Sequence, residues 1–386
     1  MKILNKAMIK EVSMVSLIGF FIFTFFLIMN SLFVMSDLVI EYGVSIVRVV
    51  QLLFLLLPST VAVTVPMAFL VGVLLTYSRI VQDNEYHGMQ ASGISVKSIV
   101  YPAIYLALAV TLVMVLFNNY VLPAANLTYK KIYFDILKKR SGIIVQKHIF
   151  INEFDDYVFY IGDKDNKNDT LKNVIIFVKD SASPNNPAKV ILAREGEIIN
   201  DEKSYRLALK LKNGTIQLGS YADPDRLSQI FFNTNFVELD MKGLLKNRTE
   251  PDDIKGSREM TGEEISAEIK KGKGSRHDRN WLFIEFHKKL SIPFAVIAFA
   301  VIGIPLGLMT KKGGRIGGIA FSLILIFVYY VLLSIGQNYG YKGQMNYFFA
   351  VWLPNIFLAG SGLLLLAFMA VKPYLKKRVK TDENTL

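Results

Sequence analysis

YSRIVQDNEYHGMQASGIS, Tyr77–Ser95, is a short polar interruption between two long apolar runs. Its apolar positions Ile80, Val81, Met89 and Ile94 are sparse, while Arg79, Asp83, Glu85, His87 and Gln90 give it mixed charge. Such a surface suits docking more than burial, and the pattern predicts a helix lying at a membrane surface. A solvated loop is the plainer alternative.

Working outward, the run before it is Val49–Thr76, which carries Pro58 and Pro66, and the run after it is Ile99–Phe117. A still earlier run, Val12–Met35, follows Lys2, Lys6 and Lys10, exceeds a signal-peptide core and lacks a small-residue cleavage site. About 20 helical residues cross the roughly 30 Å hydrocarbon core, so each run spans a membrane. Prolines inside a span kink it, and neighbouring helices tolerate the kink. Three further runs follow at Leu290–Met309, Ile316–Ile335 and Tyr347–Val371, the last ending in Lys372, Lys376, Lys377, Arg378 and Lys380. Basic residues sort by side: Lys2, Lys6, Lys10, Arg79, Lys97, Lys311, Lys312, Arg315 and the tail on one, against Arg48 and Lys342 in short loops on the other. The positive-inside rule then puts both termini and Tyr77–Ser95 in the cytoplasm.

The totals agree: 386 residues, 52% hydrophobic and net charge +12, with mean hydropathy +0.36, describe a membrane protein rather than a soluble enzyme. Topology explains the basic balance without nucleic acid. With no cysteine there is no disulfide framework, thiolate metal site or cysteine nucleophile.

From about Pro123 to Asn280 no apolar run is long enough to span, and short alternating segments read as a soluble all-β domain outside the cytoplasm. Tyr205–Leu211 and Thr215–Leu218 read as a hairpin across Asn213-Gly214, with Tyr205, Leu207, Leu209 and Leu211 on one face. Tyr157–Ile161, Val174–Val178, Val190–Arg194 and Gln229–Leu239 are further strands, and together they suggest a sandwich, jelly roll or related open sheet. Thr261 with Glu264 forms a capping box, with Met260 as a staple, opening a connector helix that ends in LysGlyLysGly. The organisation is a transmembrane half (1–122), a β domain (123–259), a connector (260–283) and a second transmembrane half with a basic tail (284–386).

Chemistry is sparse. No phosphate-cradling GlyxxxxGlyLysSer/Thr loop occurs, and LysLysGlyGlyArgIleGlyGly, Lys311–Gly318, joins two spans as a basic turn. His87, His148, His277 and His287 fall in separate segments without metal-ligand spacing, and no GlyxSerxGly elbow is present. The chain reads as non-catalytic, with no cofactor of its own. Few charges lie at mid-membrane, which argues for an amphipathic cargo moved by energy from a partner.

The chain resembles the lipopolysaccharide-export permease family, the LptF/LptG type. The resemblance rests on Pro58 and Pro66 with PheLeu at 69–70, ArgIleValGlnAspAsnGlu at 79–85, AlaSerGlyIleSer at 91–95 and GluPheHisLysLysLeuSerIleProPhe at 285–294. It continues through GlyIleProLeuGly at 303–307, LysLysGlyGlyArg at 311–315, TyrTyr at 329–330 and TrpLeuProAsn at 352–355. It implies six transmembrane helices in a 3+3 arrangement with an inserted periplasmic domain of open jelly-roll type, in the bacterial inner membrane. It further implies pairing with a second permease of the family as a heterodimer, a cytoplasmic ABC ATPase dimer that uses ATP and Mg, and a periplasmic β-sheet bridge that receives lipopolysaccharide.

By the same resemblance, residues 77–95 form the coupling helix, with Glu85 at the family's acidic position and Arg79 and Asp83 beside it. Gly93 turns the chain back into the third span. Lipid phosphates call for Lys or Arg near the outer face. The outer end of span one, Asn30–Asp37, lacks the lysines that family members often carry there, which leaves Arg48, Lys130, Lys131, Lys288 and Lys289 as candidates. Lys288 and Lys289 carry an alternative reading as local ion pairs with Glu285. Tyr205, Leu207, Leu209 and Leu211 are candidate acyl-chain contacts. Two other classes fit the topology: an envelope-sensing or scaffolding protein with a β-rich ectodomain, and a proton-coupled secondary transporter.

Overall fold

A computed structural model describes residues 2–40, 43–139, 150–151, 157–165, 170–178, 188–201, 206–219, 227–240, 255–272, 276–310 and 314–383. Among them, six helical stretches are long and apolar enough to cross a membrane: Ile3–Ile40, Ile46–Gln82, Val96–Tyr133, Asp278–Met309, Gly317–Tyr341 and Tyr347–Met369. Three precede an antiparallel sheet and three follow it. The chain divides into two compact units, one of Met1–Ser31, Leu55–Asn126 and Ser257–Leu386, the other of Leu32–Phe54 and Leu127–Gly256.

In the first unit, α1 (Lys2–Ile40) contributes its residues up to Ser31 and α2 (Ile46–Gln82) its residues from Leu55, and α2 runs on through Pro58 and Pro66. Residues 77–95 are not one helix. Tyr77–Gln82 completes α2, and Tyr77 and Ile80 are buried. Only α3 (Glu85–Ala91) stands apart, entered through Asn84 in the left-handed region (φ 59°). The small polar residues around position 78 disguised an apolar packing face that continues to Val81.

α4 (Val96–Leu116) starts on Ser95, whose hydroxyl accepts from the Ser98 amide. One π-helical turn, Phe117–Val121, leads straight into α5 (Leu122–Lys139). The helix therefore continues past Pro123. After the sheet, α6 (Gly262–Lys271) carries the capping box of Thr261 and Glu264 and ends on Gly272 at φ 62°. It is followed by α7 (Arg276–Met309), α8 (Gly314–Tyr341) and α9 (Tyr347–Glu383).

α7 is the centre of this unit. Its window of highest hydropathy is the most buried of the six. Val296, Ala300, Ile304 and Leu308 pack with α1, α2 and α4, while Ala295, Ala298, Phe299 and Ile302 pack with Leu70 and Leu74 of α2 and with α8 and α9. Close approach to α2 depends on glycine: a Cβ on Gly307 would lie 2.7 Å from the Tyr77 Cβ.

The second unit holds a six-stranded meander of β1 (Phe150–Ile151), β2 (Tyr157–Asp165), β3 (Thr170–Val178), β4 (Ala188–Asp201), β5 (Arg206–Gly219) and β6 (Leu227–Asp240), every strand antiparallel to its sequence neighbour. Crossing connections of a jelly roll do not occur among the described residues. The hairpin expected at Asn213-Gly214 is not formed. Arg206–Gly219 is one unbroken strand, paired along its length with β4 and β6. Asn213 does adopt the left-handed conformation that the dipeptide favours (φ 54°), but so does Asn173 (φ 54°).

The register explains why. Gly162, Asn173, Arg194, Asn213 and Asn233 fall in one row across β2–β6, a row skipped by regular pairing. On either side of it the inward parity inverts. Leu171 and Val174 are both buried, as are Ala193 and Gly196, with two outward residues between each pair. Leu171, Val174, Ala193, Leu209 and Leu211 nevertheless belong to a single core cluster. The row is thus a crease at which the inward-facing parity changes, while residues on both sides of it bury into one apolar cluster. Just beyond the crease, Asp163, Lys172, Glu195 and Lys212 face one another across successive strands and alternate in sign, which fixes register on the outer surface.

Candidate functional site

The polar residues of the opening stretch converge on one guanidinium. Arg79, in the last turn of α2, donates through Nε to Glu11 Oε1 and through Nη2 to Glu11 Oε2 at 2.7 Å, a bidentate grip on α1. Its Nη1 reaches Asp83 Oδ2 and Glu85 Oε1, both at 2.9 Å. Three carboxylates against one guanidinium leave the cluster net acidic. Asp83 and Glu85, on either side of the Asn84 bend, are 47% and 48% exposed, whereas Arg79 and Glu11 are 24% and 27% exposed.

Beneath the charges, Tyr86 is buried and Met89 and Ile94 are half-buried against Met8, Val12, Ile80 and Val81. Burial raises the Tyr86 hydroxyl's pKa above its ordinary value, and the hydroxyl stays protonated while accepting from Gln90 Nε2 at 2.8 Å. His87, Gly88, Gln90 and Ala91 form the outward face. The base of the stretch is pinned where the Tyr77 hydroxyl donates to the Ile99 carbonyl at 2.6 Å. Gly93, at φ 81°, makes the turn into α4 that a side chain would strain.

A second polar cluster surrounds Glu285 of α7, which is 6% exposed. Lys288 Nζ donates to Oε1 at 2.9 Å, the Tyr341 hydroxyl at 3.2 Å, and Arg258 Nε lies 3.5 Å away. Trp281 stacks on Tyr341 at 4.2 Å, with the Arg258 guanidinium 5.5 Å above its ring. Lys289 turns elsewhere and donates to the Asn118 carbonyl at 3.3 Å. Asn119, also in the π-turn, accepts from the Gly262 amide at 2.7 Å and so receives the start of α6.

Residues 6–367 match the family described as Lipopolysaccharide export system permease LptF/LptG. The chain belongs to that family. It is also similar to an uncharacterized protein, RP871, of Rickettsia prowazekii (strain Madrid E), at 21% identity over 335 residues, which cover 84% of this permease and 88% of that protein.

Several of the permease's sequence motifs now have physical partners. Asn355 Nδ2 donates to the Ser291 carbonyl at 2.8 Å and to its hydroxyl at 3.0 Å, which joins the motifs at 285–294 and 352–355. The Tyr330 hydroxyl donates to the Val63 carbonyl at 3.2 Å, between the two prolines of α2. Of the candidate phosphate contacts, Lys288 has the local pairing with Glu285 that the spacing allowed, and Lys289 does not. Arg48 and Lys130 are half-buried and Lys131 is exposed, all three in the second unit. Leu209 and Leu211 lie in the sheet's apolar cluster, at 1% and 0% exposure. Leu207 pairs with Leu239 through the backbone, and Tyr205 lies outside the described residues.

Sequence reasoning missed Glu11, Arg258 and Tyr341. Glu11 had one available signal, as the first acidic residue in an N-terminal segment whose earlier charges are all basic. Arg258 and Tyr341 had none, because their partner is far away in the chain.

Proposed function

We propose that this permease is a non-catalytic subunit of an ATP-driven exporter, extracting lipopolysaccharide from the bacterial inner membrane and passing it to a periplasmic β-sheet bridge. A second permease of the family completes a heterodimer with it, and a cytoplasmic ABC ATPase dimer, using ATP and Mg, supplies the work. The termini and α3 face the cytoplasm, and residues 123–259, most of α5 followed by the six-stranded meander, form the periplasmic domain. The observation that carries this reading is the exposed, acidic α3 region between two membrane spans, in a chain of this family with no nucleotide loop of its own.

In this reading Arg79, Asp83, Glu85 and Gly93 serve ATPase coupling. Arg48, Lys130, Lys131, Lys288 and Lys289 are the cations available to lipid phosphates, and Tyr205, Leu207, Leu209 and Leu211 line the path of acyl chains. The buried state of Leu209 and Leu211 means that acyl entry requires the sheet's apolar cluster to open. Depletion of the protein in its native cell tests the function: lipopolysaccharide accumulates in the inner membrane, and normal surface delivery refutes the reading. Glu85→Lys tests the coupling assignment, since it places a second cation beside Arg79 and should weaken ATPase co-purification without loss of the membrane fold.

A further inference from the structure

We propose that Glu11 and Arg79 act as a positioning clamp, through which displacement of α3 is delivered to α1. The proposal rests on the reading of α3 as the segment that receives a partner ATPase. A short helix joined to its span through a bend at Asn84 would by itself dissipate a push, because the bend absorbs rotation. Arg79 removes that freedom. Its Nη1 holds Asp83 before the bend and Glu85 after it, while Nε and Nη2 grip Glu11, 68 positions earlier on another helix, with Nη2 also reaching Glu85 Oε2 at 3.4 Å.

The planar guanidinium suits this task, since it offers a rigid fork whose separate edges address different carboxylates at once. Exposure divides the roles: the Arg79 and Glu11 side chains are about half as exposed as those of Asp83 and Glu85. A docking partner therefore meets Asp83 and Glu85 first, with the α1 grip behind them. An apolar floor makes the link stiff. Met8 and Val12, flanking Glu11, are buried in the same cluster as Ile80, Val81 and Tyr86. One turn further along α1, a Cβ on Gly72 of α2 would collide with the Ser16 hydroxyl and sit 2.9 Å from the Val12 carbonyl, so α1 and α2 touch backbone to side chain at this level. Polar clamp and close apolar seam act on the same two turns of α1.

The test uses the complete transporter, two permeases with the ATPase dimer, reconstituted in vesicles containing lipopolysaccharide. Glu11→Gln keeps the shape and removes the charge. ATPase co-purification and ATP turnover should stay close to wild type, while lipopolysaccharide released per ATP falls by about fivefold or more, the low end of ordinary coupling energies. Glu11→Asp should restore most of the loss. An unchanged ratio in Glu11→Gln, or loss of the ATPase itself, overturns the clamp. If the wild-type complex neither binds the ATPase nor releases lipopolysaccharide, the underlying functional reading fails instead.

A second measurement does not depend on the variant folding. The chain has no cysteine, so Lys10→Cys and His87→Cys, both at exposed positions, can carry spin labels on α1 and α3. With the clamp intact their separation stays narrow across nucleotide states; a distribution that broadens or shifts with nucleotide shows that α3 moves independently and refutes the proposal.

Discussion

Glu285→Gln isolates what the buried carboxylate of α7 contributes. The amide keeps the shape and can still accept from the Tyr341 hydroxyl, so the loss is the charge seen by Lys288 at 2.9 Å and Arg258 at 3.5 Å. A hydrogen bond to a charged group is worth about 1.5–3 kcal/mol against about 1 for a neutral one, so the Lys288 contact loses about 1–2 kcal/mol. The Arg258 side chain is 60% exposed, and a pair of that kind adds at most about 1 kcal/mol. The expected cost is therefore about 2 kcal/mol. Lys288→Met should cost more, about 3 kcal/mol, because it leaves the carboxylate buried with only Tyr341 and a solvated arginine. Lys289→Met removes a bond to a backbone carbonyl and weaker charge interactions with Glu285 and Glu264, offset by relief of the ammonium's burial, and should cost about 1 kcal/mol. Denaturation in mixed micelles, followed by tryptophan emission, reads the series directly, since Trp281 stacks on Tyr341 at the cluster itself. The ranking Lys288→Met, Glu285→Gln, Lys289→Met is the test. A Glu285→Gln shift below about 0.5 kcal/mol, or Lys289→Met as the worst of the three, would refute an ion-pair anchor for α7.

Five further substitutions probe the scaffold. Asn213→Val should destabilise the sheet by about 1–2 kcal/mol, the cost of a β-branched residue at positive φ, while Asn213→Gly should be close to neutral; equal effects in chemical denaturation would rule out the crease. Leu211→Ala empties a fully buried position and should cost about 2–5 kcal/mol, so a value under about 1 would mean that the sheet interior is already open. Gly307→Ala drives a methyl against Tyr77 and should lower thermal stability by about 1–3 kcal/mol, whereas Gly360→Ala, with open space around it, should hold or raise it. Matching shifts for the two glycines would overturn the α2–α7 seam.

The spans were legible because a helix crossing lipid must be apolar along its whole length, which leaves a signal about 20 residues long. The boundary of α3 was not, because Ser78 and Arg79 look alike in composition whether they end a buried helix or begin a surface one. Only Tyr77 and Ile80, buried on the same face, decide it. At Asn213-Gly214 the local chemistry was read correctly and its use was not. Asparagine was placed there for a left-handed backbone, and that conformation serves a crease within a continuous strand as readily as a turn between two strands. The five-residue row that distinguishes the cases is visible only once the register is known. At the candidate site, Arg79, Asp83 and Glu85 were found because they lie within seven positions of one another. Glu11 was not, since nothing local tells a carboxylate which distant guanidinium it will meet.

The distant motifs look like independent short signatures in sequence, yet in the structure several are halves of one contact. Ser291 and Asn355 bond each other, Gly307 makes room for Tyr77, and Tyr77 in turn bonds Ile99. These contacts run along α7 from its Glu285 end to the α2 segment that carries Arg79. α7 shares one core cluster with α1, α2, α3 and α4, and the other with α2, α8 and α9. A bundle built around one buried helix, with a polar cluster at its Glu285 end and a close contact with α2 at Gly307, can transmit a shift only by moving that helix or by moving the others around it. Burial opposes the first, because displacing α7 disrupts both clusters at once. Motion of α1 against α7, steered at the Arg79 cluster, displaces buried residues of one cluster alone, Met8 and Val12, whereas motion of α2 would also displace Leu70 and Leu74 of the other.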